Sequence, residues 1–432
     1  MATWVDACST VAPTLSTYVI GLRQSMRHFP ATALALILLG CATPPIPDTA
    51  SCESMPALTD LIAARDAVRT HYVYTPAGGV TVDELYDELA ERAAAAETRP
   101  QHLQVLERFV FGLADHHAHL SANSRSSPRL IPSGTSVWVE YRDGRFIATQ
   151  VRPGSTAREA GLREGMEILS VNGAPMLELS LPPHSSANST TARSFAARVA
   201  LAGTYAEDAV ITARGASGAW TARLAPAPAP ANDDDRLATL SYPASDVALI
   251  RINNSLGNTE LPQAFDTLMQ RARSARAVIL DLRDTPAGGD SVVGRPIMSW
   301  FFEGVRGYQR HRKHGREWLE TVTGRPDAFR GRLVVLVDHW TGSMGEGVAI
   351  GLRSGAGAIL IGTPMAGLRG AMESFPLPCL GVDIRLPAEQ LFTVEGEPRE
   401  RAMPDLLIDE DTLSAADTGD PILAAALQLA ER

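Results

Sequence analysis

The first hydrophobic pattern along the chain is helical. Between about Met55 and Leu120, Leu58, Leu61 and Ile62 recur at helix spacing, and the run Val82 to Leu89 continues the pattern. Ala93 to Ala96 are strong helix formers, and Gln104 to Leu113 forms a third amphipathic stretch. It ends in a histidine group, Asp115-His116-His117-Ala118-His119. Residues 133–228 change period. Val137 to Tyr141 and Arg145 to Thr149 flank Asp143-Gly144, a strong hairpin signal. A short helix ended by Gly161 and a strand entering the turn at Asn172-Gly173 follow. From Leu237 onward strands alternate with helices. Val247–Ile252, Ala277–Arg283, Leu333–Val337 and Ala358–Gly362 read as strands, and Leu261–Ala275 reads as a helix. That alternation predicts an α/β core preceded by a helical segment and a β-rich domain.

Punctuation sets the boundaries. Ala225-Pro226-Ala227-Pro228-Ala229-Pro230, followed by Asp233-Asp234-Asp235, is a stiff, solvated linker. The expected organisation is a leader over 1–41, a tether over 42–54, a helical domain over 55–130, a β-rich domain over 131–224, a linker over 225–236 and the core over 237–432. Within the leader, Met26-Arg27-His28 precedes the short apolar run Ala31–Gly40, which is far below the ~20 residues of a spanning helix. The run ends in Leu38-Leu39-Gly40-Cys41 and resembles a bacterial lipoprotein signal, with Cys41 as the acylated residue. The alternative is an ordinary cleaved signal peptide. Residues 1–25 contain Asp6 and no basic residue before Arg23, so they read as an upstream mis-start. The implied location is the periplasmic face of the cell envelope, with the membrane contacted through a lipid anchor. Cys52 and Cys379 remain after processing. An exported compartment permits a bridge between them, and their spacing leaves open whether they meet.

Composition narrows the function. Of 432 residues, 45% are hydrophobic and 20% charged, ordinary for a chain that buries a core. A net charge of −10 argues against nucleic-acid binding, which needs clustered basic residues. Positive charge is almost all arginine: Lys313 is the only lysine.

The phrases "SGTSVWVEY" and "GSTAREAGLREGMEILSVNG" in the β-rich region resemble a PDZ domain. PDZ domains add an extended peptide beside an exposed strand and take its terminal carboxylate on a loop of backbone N–H groups. The resemblance places that loop at Ser133 to Ser136, with Gly134, Thr135 and Ser136 as peptide-binding residues. A β-module that binds nothing is the alternative.

Ser343, in Thr341-Gly342-Ser343-Met344-Gly345-Glu346, follows a buried strand and precedes a helix. Backbone N–H groups and the positive helix end favour an anion there, which suits a nucleophile and its oxyanion. The strand Leu280 to Arg283 runs into Gly288-Gly289, where glycine lets an N–H approach a carbonyl closely. These segments, with Ile361-Gly362-Thr363-Pro364-Met365-Ala366-Gly367 after them and the PDZ-like module ahead, resemble the tail-processing and tricorn-type serine peptidases over roughly residues 55–430. The resemblance implies a ClpP/crotonase-like core, Ser343 as nucleophile, and an oxyanion hole from the amide of Met344 plus that of Gly288 or Gly289. The tail-processing branch uses a lysine base in the loop after the following strand; here that loop holds Leu368-Arg369, and arginine cannot serve as a base. The tricorn-type branch takes a histidine from the preceding helical segment. That implies His117 as base, His119 as the alternative, and Glu400 as the residue that orients the imidazole or binds a substrate terminus. The histidine group alone is thin evidence for a metal, and no cofactor is expected. The expected activity is hydrolysis of polypeptide substrates. A silent peptide- or apolar-ligand-binding protein on the same fold is the alternative, and nothing in the sequence speaks to oligomeric state.

Overall fold

Residues 49–76, 79–225, 236–415 and 419–431 are described by the computed structural model. The leader with Cys41 and nearly all of the linker lie outside these residues. Helices α1 (Thr49–Ser54), α2 (Pro56–His71), α3 (Val82–Ala94) and α4 (Arg99–Gly112) come first. Two of them start on reciprocal capping pairs, Thr81 with Glu84 and Thr98 with Gln101. Strand β1 (His119–Leu120) follows. The β-rich module comprises β2 (Val137–Arg142), β3 (Arg145–Val151), α5 (Thr156–Glu159), β4 (Glu167–Val171), β5 (Ala174–Pro175), α6 (Thr190–Ala202), β6 (Ala209–Gly215) and β7 (Gly218–Leu224). Its sheet runs β2-β3-β4-β6-β7, with β2 at one edge.

The last segment begins with β8 (Ala238–Ala244), β9 (Val247–Ile252), α7 (Leu261–Ala272), β10 (Ala277–Asp281) and α8 (Ser291–Ser299). Next come β11 (Val305–Lys313), β12 (Arg316–Thr323), β13 (Arg332–Val337), α9 (Met344–Ala356), β14 (Ile359–Gly362), β15 (Ala371–Leu377) and β16 (Val382–Phe392). The chain closes with β17 (Leu406–Leu407), α10 (Glu410–Ala415) and α11 (Pro421–Glu431). The central sheet runs β17-β14-β13-β10-β9-β8, and β9, β10, β13, β14 and β17 pair in parallel. Its strands are apolar on both faces because both are covered. Ile250, Leu280 and Val335 face a core shared with α7, α8 and α9, while Val247, Ile279 and Leu336 face α11.

Two features were not foreseen. Strands β15 and β16 leave the central sheet and complete the core of the N-terminal helices: Leu377, Val382, Ile384 and Leu386 pack with Leu61, Leu85, Leu106 and Phe109. Strand β1 pairs with β16, His119 opposite Arg385. The helical region is therefore closed by residues from the far end of the chain. A disulfide joins Cys52 and Cys379 across the same junction.

Candidate active site

Parallel neighbours in a sheet end side by side, so the loops leaving their C-terminal ends share one crevice. Strand β10 is in register with β13, Asp281 opposite Leu336, and β13 with β14, Val337 opposite Gly362. Their exit loops are residues 282–290, 338–343 and 363–370. The glycine pair, Ser343 and Arg369 are thereby brought together from three segments.

Ser343 stands at the N-terminus of α9 with φ 52° and ψ −108°. A non-glycine residue at positive φ carries strain of order 1–3 kcal/mol and persists only where its surroundings hold it. Here the holder is Glu346. Its fully buried carboxylate accepts the Ser343 N–H at 2.8 Å, and the Gly367 and Leu368 N–H groups at 2.9 and 3.3 Å. Arg399 lies 3.9 Å away. Burial pushes the Glu346 pKa up to about 7, against the pull of Arg399 and the three N–H donors. Asp338 ties the same turn to the glycine loop, accepting from Asp284 N–H at 3.2 Å, Trp340 N–H at 3.0 Å and the Thr341 hydroxyl at 3.3 Å.

The glycine pair touches the serine. A Cβ at Gly288, whose φ is +62°, would stand 2.5 Å from Ser343 Cβ and 3.1 Å from its Oγ. One at Gly289 would stand 2.1 Å from the Leu256 carbonyl oxygen. The Gly288 N–H donates to the Thr285 carbonyl at 3.1 Å. The Gly289 and Met344 N–H groups have no hydrogen-bond partner among the described residues. Two free amides beside one serine can receive a developing oxyanion.

His117 stands in the loop between α4 and β1. Its N–H donates to Asp115 at 2.9 Å, and Asp115 in turn accepts from the Tyr72 hydroxyl at 2.9 Å. The His117 Nδ1 meets the Arg369 carbonyl at 2.5 Å, which requires a proton on Nδ1 and leaves Nε2 as the lone-pair nitrogen. Burial pushes the ring's pKa down to about 3, so the imidazole is neutral near pH 7. A cavity of about 810 Å³ is lined by both His117 and Ser343, together with His119, Gly289, Met344 and Leu368. Among the described residues no hydrogen bond joins Ser343 Oγ to His117.

A protein-family comparison supplies the class. Residues 246–408 match the model of peptidase family S41. The chain carries an S41 serine-peptidase domain. Solved structures with the same fold include a photosystem II D1 C-terminal processing protease, 18% identical, with 87% of this chain and 97% of that one aligned at a TM-score of 0.56. Mature CPAF is 16% identical over 88% of this chain and 96% of that one, with a TM-score of 0.61. A putative peptidase from Parabacteroides merdae is 12% identical over 87% and 97%, with a TM-score of 0.54. No curated protein matches the chain.

The remaining candidates lie as follows. His119 lines the cavity, but its Nδ1 bonds the His117 carbonyl at 2.7 Å and its strand pairing holds it against β16. Glu400 does not line the cavity. Its Oε2 is buried without a hydrogen-bond partner, and Tyr74, pushed up by burial and then by the Glu400 charge, is a neighbour. Lys313 is paired with Glu373, and lies 3.7 Å from Glu389. His339 is buried and stacked on Trp138 at 4.6 Å, a packing role between the S41 domain and the β-rich module.

The proposed carboxylate loop of that module is engaged by the protein itself. The Gly134 and Thr135 N–H groups donate to the Leu130 and Pro132 carbonyls at 2.6 and 3.3 Å. Ser136 is buried, and the Thr135 carbonyl accepts from Trp340 Nε1 at 2.9 Å. Edge strand β2 is covered as well. Ser194 Oγ accepts the Tyr141 N–H at 2.9 Å, and Arg198 Nε donates to the Val139 carbonyl at 3.1 Å. Side chains of α6 thus take positions that an added peptide strand would need. The contributions of Glu346 and of the Arg369 carbonyl were missed from sequence. The glutamate three residues after the serine was the one available signal for the first.

Proposed function

We propose that this protein is an exported serine endopeptidase that hydrolyses polypeptides with Ser343 as nucleophile and His117 as base. The observation that supports this best is the tautomer at His117. With Nδ1–H committed to the Arg369 carbonyl, Nε2 is the nitrogen left to take a proton, in a cavity shared with Ser343. Entry of a substrate would draw Ser343 Oγ and Nε2 together, since catalytic hydrogen bonds often tighten only in the Michaelis complex. Ser343 Oγ attacks the scissile carbonyl, and its proton passes to His117 Nε2. The oxyanion is received by the Met344 and Gly289 amides, Gly288 being already bonded to Thr285. The imidazolium then protonates the leaving amine, and water hydrolyses the acyl-enzyme by the same route reversed. Glu400 acts behind Arg369 in this reading, and not on the imidazole directly.

The Cys52–Cys379 bridge fits an oxidising compartment, and with the Cys41 signal it supports an envelope lipoprotein. No described helix is long and apolar enough to cross a membrane. Recruitment of peptides by the PDZ-like module would require α6 to release β2. Labelling with a fluorophosphonate probe tests the central reading. Labelling that requires Ser343 and falls sharply in His117→Ala is expected; absence of labelling in folded protein would leave the non-enzymatic binder as the better account.

A further inference from the structure

Three arginines line the cavity that holds Ser343 and His117: Arg295, Arg385 and Arg399. Two of them are committed to the protein. Arg295 is paired with Glu320. Arg399 is buried beside Glu346 and donates to the Leu368 and Gly370 carbonyls at 2.9 and 3.1 Å. Arg385 is exposed on the cavity wall, and among the described residues its guanidinium makes no hydrogen bond, ion pair or ring contact. The acids of the same wall have partners of their own. Glu389 meets His311 Nδ1 at 2.8 Å and lies 3.7 Å from Lys313, and Asp290 accepts the Val292 N–H at 3.0 Å as the cap of α8. Asp383, two residues before Arg385 on β16, forms no ion pair with it.

Sheet register fixes where this free charge stands. Arg385 is directly opposite His119 in the antiparallel pair of β1 and β16. Cα atoms so paired are about 4.5–5.5 Å apart, and the two residues from His117 to His119 span at most about 7 Å, so Arg385 is rooted within roughly 13 Å of the base. Its charge reaches the histidine group: burial lowers the His119 pKa, the bond to the His117 carbonyl raises it, and Arg385 lowers it again. An extended polypeptide advances about 3.3 Å per residue, so roughly four residues of substrate cover the distance from the scissile bond.

We infer that Arg385 is a specificity-determining residue: its guanidinium receives a carboxylate of the polypeptide, from an aspartate or glutamate side chain or from the chain terminus, within about four residues of the bond cleaved. A guanidinium and a carboxylate are planar partners that join through two parallel hydrogen bonds and opposite charge. A carboxamide of the same shape supplies one acceptor and no charge. A substrate ammonium would meet a like charge at this wall.

This inference rests on the peptidase reading, and one experiment separates the two. Internally quenched peptides of one sequence carry Glu, Gln or Lys at each position on either side of the scissile bond, and each is made as the free acid and as the C-terminal amide. They are assayed alongside fluorophosphonate labelling of the same preparation. In the wild type, kcat/KM for Glu should exceed that for isosteric Gln about fivefold at one position, or the free acid should exceed the amide by as much, as for the stronger exposed ion pairs. The first result assigns the carboxylate to a side chain and the second to the terminus. Arg385→Gln should abolish the preference while labelling as the wild type does. Arg385→Glu should reverse it, toward Lys at that position or toward the amide, a gain that misfolding cannot produce. If Arg385→Glu fails to label, loss of the preference in Arg385→Gln decides the matter. Wild-type protein that labels but is indifferent to every carboxylate, or a preference that Arg385→Gln leaves unmoved, overturns the inference alone. Protein that does not label at all overturns the peptidase reading and the inference with it.

Discussion

In the proposed mechanism, Glu346 acts by holding the nucleophile turn in place. As a carboxylate it accepts from Ser343, Gly367 and Leu368, fastening the nucleophile turn to the loop whose Arg369 carbonyl orients His117. Protonation removes acceptor capacity and loosens both. His117 stays neutral down to about pH 3, whereas Glu346 gains its proton near pH 7. The acid limb of kcat/KM should therefore fall as pH drops through about 7, and it should report Glu346. In Glu346→Gln, which cannot ionise, that limb should vanish while the plateau drops by roughly 10- to 100-fold, as expected for a lost positioning interaction. A limb that persists unchanged in Glu346→Gln assigns it to another group. Ser343→Ala and His117→Ala should each lower kcat by roughly 10³-fold or more, as for members of a unit that fails together. Ser343 was legible because a strand, a turn and a helix start are all local signals. The Arg369 contribution was not, because the acting atom is a backbone carbonyl and the sequence displays only its side chain.

At the scale of elements, the glycine loop after β10 has no slack. Ala at position 289 would bring a Cβ to 2.1 Å from the Leu256 carbonyl and shift the amide proposed to receive the oxyanion. Gly289→Ala should retain the fold by circular dichroism and lose roughly 10²- to 10³-fold in acylation rate, the usual effect of removing one oxyanion donor. If acylation is unaffected, the Met344 amide suffices and Gly289 is structural. The β-rich module makes a second case. Its hairpins and glycine turns were readable from period-2 alternation and Asp143-Gly144. The closure of β2 by Ser194 and Arg198 was not, because both residues sit on a helix that reads simply as amphipathic. If α6 holds the groove shut, Arg198→Ala should raise the affinity of the module for a C-terminal peptide at least several-fold, measured by fluorescence anisotropy. No gain in binding would make the module a strut.

Across the whole molecule, the expected border between helical domain and core dissolves. The core that Leu61 shares with Ile384 and the bridge from Cys52 to Cys379 join residues most of the chain apart, and no local pattern announces them. A bridge separated by 327 residues constrains the unfolded chain strongly, by about 6 kcal/mol in the loop-entropy account. Cys379→Ser should lower Tm by several degrees under oxidising conditions, and its Tm should be the same with or without reductant, whereas the wild type should approach the variant's Tm only when reduced. Equal Tm values for oxidised and reduced wild type would mean the bridge adds nothing.

That far-end closure also sets an order of events. A chain made from its N-terminus presents helices α2 to α4 long before β15 and β16 exist. Until those strands arrive, Leu61, Leu106 and Phe109 have no sheet to cover them, and the helical region is an open sandwich with one slice missing. Non-local closure of this kind is slow and leaves apolar surface exposed in the meantime. The β1–β16 pairing that brings His119 to its register forms in the same late step. Because the His117 loop is fixed by Asp115, Tyr72 and Arg369 from both ends of the chain, the histidine reaches its place only when synthesis is nearly complete. On the proposed mechanism, a nascent or truncated product would carry Ser343 without His117 in place as base, and would be silent until the chain is whole.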